Sequence, residues 1–164
     1  MYVIDSDVLI TAKNSYYAFD LCPGFWNSLL VQHRAGQVYS LDRNRMELLQ
    51  GRDDDDLVRW VNESVPAGFF LSTHQADVAA AYTDIMMWVQ RNPQYFDSAK
   101  AQFATGADGW LVAYARVNDC VVVTQEEPRP ESRNQIKLPD VCNQFGVRPE
   151  NVFTMLRALQ VQYH

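Results

Sequence analysis

Four carboxylates stand where this chain can fold them together: Asp5, Glu47, Asp108 and Glu126. Asp5 is the most telling. The run Tyr2-Val3-Ile4 is apolar and strand-like, stops at Asp5-Ser6-Asp7, and gives way to Val8-Leu9-Ile10. A strand ending in acids places them at the carboxyl edge of a sheet, where open α/β folds hold their ligands. Asp5-Ser6-Asp7 reads equally as a helix cap, since Ser and Asp satisfy the free amides of a first turn. Glu126 also follows a strand, Cys120-Val121-Val122-Val123-Thr124. Glu47 lies among helical residues, and Asp108 opens the segment Trp110-Leu111-Val112-Ala113-Tyr114-Ala115. Carboxylates beside buried segments are costly unless paired or bound to metal. Several converging on one point cannot all stay ionised without a cation. A hard divalent ion, Mg²⁺ or Mn²⁺, with oxygen ligands at about 2.1 Å, meets both demands. It also stabilises a phosphodiester transition state.

The elements that must position these acids alternate between short strands and helices, which predicts an α/β fold with a central parallel sheet flanked by helices. Strands are expected at Tyr2–Ile4, Gln37–Ser40 and Cys120–Thr124. The last is β-branched and apolar on both faces, as an interior parallel strand should be. Helices are expected from Pro23 to a stop at Gly36, from Asp42 to Gln50, and after Asp53-Asp54-Asp55-Asp56. Those four acids read as the solvated start of a helix, favoured by its dipole. Thr73 to Gln90 carries an apolar stripe at three- and four-residue spacing, and Asn92-Pro93 ends it. A short helix near Pro139 to Phe145 and a terminal helix from about Pro149 complete the reading. Asp7 and Asp42 are expected to cap helices, Asp140 to cap a turn, and Glu127 to be solvated.

Bulk composition narrows the classes. With 164 residues, 48% hydrophobic and 21% charged, the chain suits a single domain, 1–164. No apolar run approaches the roughly 20 residues of a membrane span. No basic region with a long apolar stretch opens the chain, so neither membrane nor secretion is expected and the location expected is cytoplasmic. Cys22, Cys120 and Cys142 are odd in number, lack a CxxC, and read as reduced thiols. A net charge of −6 argues against a passive nucleic-acid binder. It argues less against a metal-dependent nuclease, whose cations reverse the charge of the site. His33, His74 and His164 share no metal-ligand spacing, and neither GxxxxGK[ST] nor GxGxxG occurs. Lys13, Arg43, Arg45, Lys100 and Arg116 lie near the acidic motifs in sequence, but charged residues beside helices are usually just solvated, so the substrate-binding residues stay unassigned.

The motifs together resemble the PIN-domain nucleases. The matching pieces are the apolar run into Asp5-Ser6-Asp7-Val8-Leu9-Ile10, Ser40 followed by Glu47, Ala107-Asp108 followed by Leu111 and Ala113-Tyr114-Ala115, and Val122-Val123-Thr124-Gln125-Glu126. Their order resembles the small VapC-like toxins. The tail from Lys137-Leu138-Pro139-Asp140-Val141-Cys142 to Phe145-Gly146-Val147 resembles a PIN-like family associated with toxin–antitoxin loci. The resemblance implies a PIN-like three-layer fold and an endoribonuclease that uses Mg²⁺ or Mn²⁺. It implies an RNA substrate and a cognate antitoxin protein that blocks the site. Carried across, Asp5, Glu47 and Asp108 fall on the three most regular acidic positions. The family's fourth acid is commonly Asp in Thr-x-Asp; here Thr124-Gln125-Glu126 offers Glu. Asp7 stands where the family often has Asn, and Ser6, Asp7 and Thr124 are expected to support the acids. A homodimer is expected if Trp26, Trp60, Trp88 and Trp110 exceed what one small core can hide. Two rival readings remain. One is a non-catalytic PIN-like binding module. The other is a haloacid-dehalogenase-like phosphatase built on Asp5 and Asp7, with Lys100 and Glu126-Glu127.

Overall fold

The computed structural model describes residues 1–163, so His164 lies outside the described residues. Five strands form one parallel sheet: β1 (Tyr2–Ile4), β2 (Val38–Leu41), β3 (Phe70–Leu71), β4 (Val121–Val123) and β5 (Pro149–Glu150), in the order β3-β2-β1-β4-β5. The helices are α1 (Ser6–Thr11), α2 (Pro23–Arg34), α3 (Asp42–Leu48), α4 (Asp56–Arg59), α5 (Ala76–Arg91), α6 (Asp97–Thr105), α7 (Asp108–Asn118), α8 (Leu138–Gln144) and α9 (Val152–Ala158).

Strand alternation splits the apolar residues between two cores. Val3, Leu41 and Val122 face α5, α6, α7 and α8; Ile4, Val38 and Val123 face α1, α2, α4 and α9. β1 pairs with β4 as Val3 to Val122 and Ile4 to Val123, so matching residues fall on the same face. The sheet is therefore buried on both sides, the three-layer α/β arrangement that parallel strands require.

Several expected boundaries move. The long helix starts at Ala76 and not at Thr73. Thr73 is buried in the preceding loop, where its N–H and Oγ1 donate to Asp42 at 3.0 and 2.9 Å. Asp42 thus ties that loop to α3 and is not simply a cap. Asp55, from the acidic run, caps α4 by accepting from the Leu57 N–H at 2.8 Å, and pairs with Lys13. Pro149–Glu150 is a strand, and the terminal helix begins only at Val152. α6 has no counterpart among the expected helices, because Ala99 and Phe103 are its only buried residues. Two residues give no helical period to read.

The four tryptophans do not form an exposed apolar face. Trp26 and Trp60 are buried, and Trp88 and Trp110 pack partly buried against the core. These residues therefore give no reason for self-association. Among the described residues no helix is long and apolar enough to cross a membrane.

Candidate active site

Asp5 follows β1 and is held between the two central strands. Its N–H donates to Val123 O at 2.9 Å, and the residue is 3% exposed. Asp5 occupies the N-cap position of α1, yet its side chain makes no capping hydrogen bond. Its Oδ2 instead accepts from Thr124 Oγ1 at 3.3 Å. Burial, first, and then the charges of Asp108, Asp7, Glu126 and Glu47 hold its carboxyl well above the usual range.

Thr124 links two acids. Besides donating to Asp5, its Oγ1 accepts from the Glu126 N–H at 3.1 Å. One hydroxyl thus uses its donor on one acidic residue and an acceptor lone pair on the next. Glu126 Oε2 in turn accepts from the Leu138 N–H at 2.6 Å. Leu138 is the first residue of α8, so this carboxylate satisfies one of the helix's free amides.

Glu47 is reached through a buried network that its sequence only half reveals. Ser6 Oγ donates to Glu47 Oε1 at 3.2 Å, and Asn44 Nδ2 donates to Ser6 Oγ at 3.0 Å. Asn44 is fully buried, and its Oδ1 has no partner among the described residues. Its position one turn before Glu47 on α3 was the available signal, because i and i+3 share a helix face. Burial raises the Glu47 carboxyl, the Ser6 hydrogen bond lowers it, and Asp7 raises it.

Asp108 is the first residue of α7. A helix N-terminus favours a carboxylate, but burial and the charges of Glu126, Glu47 and Asp7 win, with Lys137 opposing. Its pKa is raised from the ordinary 3.8 to about 7. Gly109 lets α7 come this close. A Cβ there would stand 2.9 Å from Tyr82 Cε2 and 3.3 Å from Phe103 Cε1.

Asp5, Asp7, Glu47, Asp108 and Glu126 line one cavity of about 310 Å³. It opens past the carboxyl ends of β1 and β4, which run parallel. α6 and the residues before α8 supply its other walls, including Phe103, Gln135 and Lys137. A family model described as "Domain of unknown function (DUF4411)" matches residues 2–163, all five acids included. The chain belongs to the DUF4411 family. No curated protein matches it.

In this DUF4411 chain the expected cap at Asp7 is corrected. Asp7 sits in the first turn of α1, exposed, and lines the same cavity. None of the basic residues that lie near the acidic motifs in sequence lines the cavity. Lys13 pairs with Asp55, Lys100 donates to Gln90 O at 2.9 Å, and Arg43 lies over Trp110 at 4.3 Å. Arg116 lies over Phe145 at 5.3 Å, and Arg45 is exposed.

The donor chemistry suits a hard cation: five carboxylates, with no imidazole or thiol among the cavity walls. Cys142 is fully buried behind them, and burial with the charges of Asp108, Asp5 and Glu126 pushes its thiol up to about 12. Cys142 does not line the cavity. Among the described residues, however, no group of three or more His, Cys, Asp or Glu side chains is arranged to hold a metal ion. Like charges without a counter-ion stay apart.

Proposed function

We propose that this chain is a Mg²⁺- or Mn²⁺-dependent endoribonuclease of PIN-like type, acting in the cytoplasm as the toxin of a toxin–antitoxin pair. One observation carries the reading. Asp5 and Glu126, which follow β1 and β4, and Glu47 and Asp108, on α3 and α7, line a single cavity at the carboxyl edge of a parallel sheet. Asp5, Glu47 and Asp108 would hold the ion. Glu126, held at Oε2 by the Leu138 N–H, would be the fourth carboxylate. A divalent ion bound there supplies charge stabilisation for phosphodiester cleavage. Thr124 and Ser6 orient their carboxylates, as partners behind metal ligands generally do. The toxin role and the antitoxin rest on the resemblance. In support, a cavity with this many acids attracts a guanidinium, and a net charge of −6 steers a basic partner.

The test is cleavage of single-stranded RNA by purified protein with Mn²⁺, wild type beside Asp5→Asn. Equal rates would sink the assignment. Hydrolysis of a generic phosphate monoester without RNA cleavage would replace it with the phosphatase reading. A second reading, the non-catalytic binding module, is favoured by the absence, among the described residues, of an assembled ligand group. A melting temperature that does not respond to millimolar Mn²⁺ would move that reading to first place.

A further inference from the structure

The acidic cavity carries one basic wall residue among those described, Lys137. A polyanion approaching Asp5, Asp7, Glu47, Asp108 and Glu126 meets charge of its own sign. A bound cation offsets part of that charge, but the strand still needs a positive contact beside it. We propose that Lys137 makes this contact, ion-pairing a backbone phosphate of the RNA as the strand enters the cavity. The proposal rests on the ribonuclease reading and adds a substrate-contacting residue to it.

The geometry supports a free charge on a fixed base. Lys137 immediately precedes α8, and its C=O accepts from the N–H groups of Asp140 and Val141 at 3.1 and 3.3 Å. The next N–H, of Leu138, is bound by Glu126 Oε2 at 2.6 Å. Ile136 and Leu138 on either side are buried, at 9% and 0% exposure. The backbone is thus anchored to the acid cluster and to the core. No carboxylate lies within ion-pairing reach of its ammonium among the described residues. Lys137 lines the cavity together with Asp108 and Glu126, and its charge is not consumed by a salt bridge among the described residues. A compact ammonium on a flexible stem suits a phosphate whose position shifts as the strand seats.

The alternative role is purely local, a counter-charge for Asp108, and the experiment separates the two. Cleavage of a single-stranded RNA with Mn²⁺ is measured for wild type, Lys137→Met and Lys137→Arg over a range of salt. Binding of a fluorescein-labelled RNA in Mg²⁺ is measured by anisotropy for Asp5→Asn and for Asp5→Asn with Lys137→Met. The expected result is a loss of about 10- to 100-fold in kcat/KM for Lys137→Met, mostly in KM, from one lost charged contact. Lys137→Arg recovers much of it. The slope of log affinity against log salt shrinks by roughly 0.7, the value for one phosphate of a single strand. A Lys137→Met protein with unchanged kcat/KM and unchanged salt slope would overturn the proposal and leave the nuclease reading standing. Should Lys137→Met fold poorly in a thermal melt, Lys137→Gln is read the same way. If wild type binds RNA without cutting it, the anisotropy pair decides on Lys137 alone. Wild type that neither binds nor cuts RNA overturns both.

Discussion

Thr124 Oγ1 donates to Asp5 Oδ2 at 3.3 Å, joining two residues 119 positions apart at the ends of adjacent central strands. The same oxygen accepts from the Glu126 N–H, so one hydroxyl sets the spacing between two of the four acids. Thr124→Val keeps the shape and removes both bonds. It should cost about 1–3 kcal/mol of stability, since it leaves a buried carboxylate and a backbone N–H unpaired. Melting of the variant checks this. Loss of RNA cleavage beyond what the melt explains would mark Thr124 as orienting the acids.

Asp5→Asn should stabilise the metal-free protein. The Asp5 carboxyl is held well above its ordinary range by burial and four neighbouring charges, and the amide removes the charge while keeping an acceptor for Thr124. A gain in stability at pH 7.5 is expected, because the amide carries no charge to be buried or repelled by its neighbours. In a chain of this size that raises Tm by roughly 2–4 °C per kcal/mol. The gain should vanish when millimolar Mn²⁺ is added to both proteins. A lower Tm for Asp5→Asn without metal would contradict the repulsion account.

Asp108 sets a pH dependence with a definite sign. Its folded pKa of about 7 exceeds the ordinary 3.8, so between these values the native state holds more protons than the unfolded chain. Stability from this group is therefore greatest below about pH 4 and declines as pH rises toward 7. Asp55 works in the other direction: its carboxyl is lowered, chiefly by the Lys13 hydrogen bond, so its contribution is lost on acidification below its ordinary range. Chemical denaturation in EDTA from pH 5 to 8 should show stability falling. The fall should be smaller in Asp108→Asn, and an identical profile would refute the assignment.

Gly109→Ala should be disruptive out of proportion to one methyl group. Its Cβ would enter 2.9 Å from the Tyr82 ring, which is itself stacked on Trp110 at 3.8 Å. Overpacking of this kind costs about 1–3 kcal/mol. It also displaces the start of α7, where Asp108 sits. A drop in Tm accompanied by weaker Mn²⁺ stabilisation is expected. Pairing the change with Tyr82→Leu should restore part of both.

Ser6→Ala removes the hydroxyl that donates to Glu47 Oε1 and accepts from Asn44. Glu47 loses the one hydrogen bond that lowers its pKa, so its protonation should move to higher pH. Mn²⁺ binding, followed by calorimetry between pH 5.5 and 7.5, should weaken most at the acidic end. Uniform weakening across that range would point to a packing effect instead.

Sequence alone was enough for the kind of fold and for which acids to watch. Val121-Val122-Val123 is apolar at every position, and only a strand covered on both faces needs that. Asp5 and Glu126 each follow such a strand, and in a parallel sheet strand ends share an edge, so their convergence follows from order alone. The rest depended on contacts between distant segments. β3 and β5 are two residues each, too short to carry a period, and exist because β2 and β4 leave edges for them to pair. Asp7 has the residue type and spacing of a cap, and only the packing of α1 beside the other acids turns it into the cavity. Asn44 looks like a surface helix residue until Ser6, 38 positions away, is folded against it. Lys137 was the least visible. Among the described residues it is the cavity's only basic side chain, yet it lies far along the chain from both Asp5 and Asp108, and it is placed there by the Leu138 N–H donating to Glu126 and by the burial of Ile136 and Leu138 on either side. Local pattern reports what a segment can become; which side chains share a cavity is decided by long-range pairing, whose partners leave no mark on either segment alone.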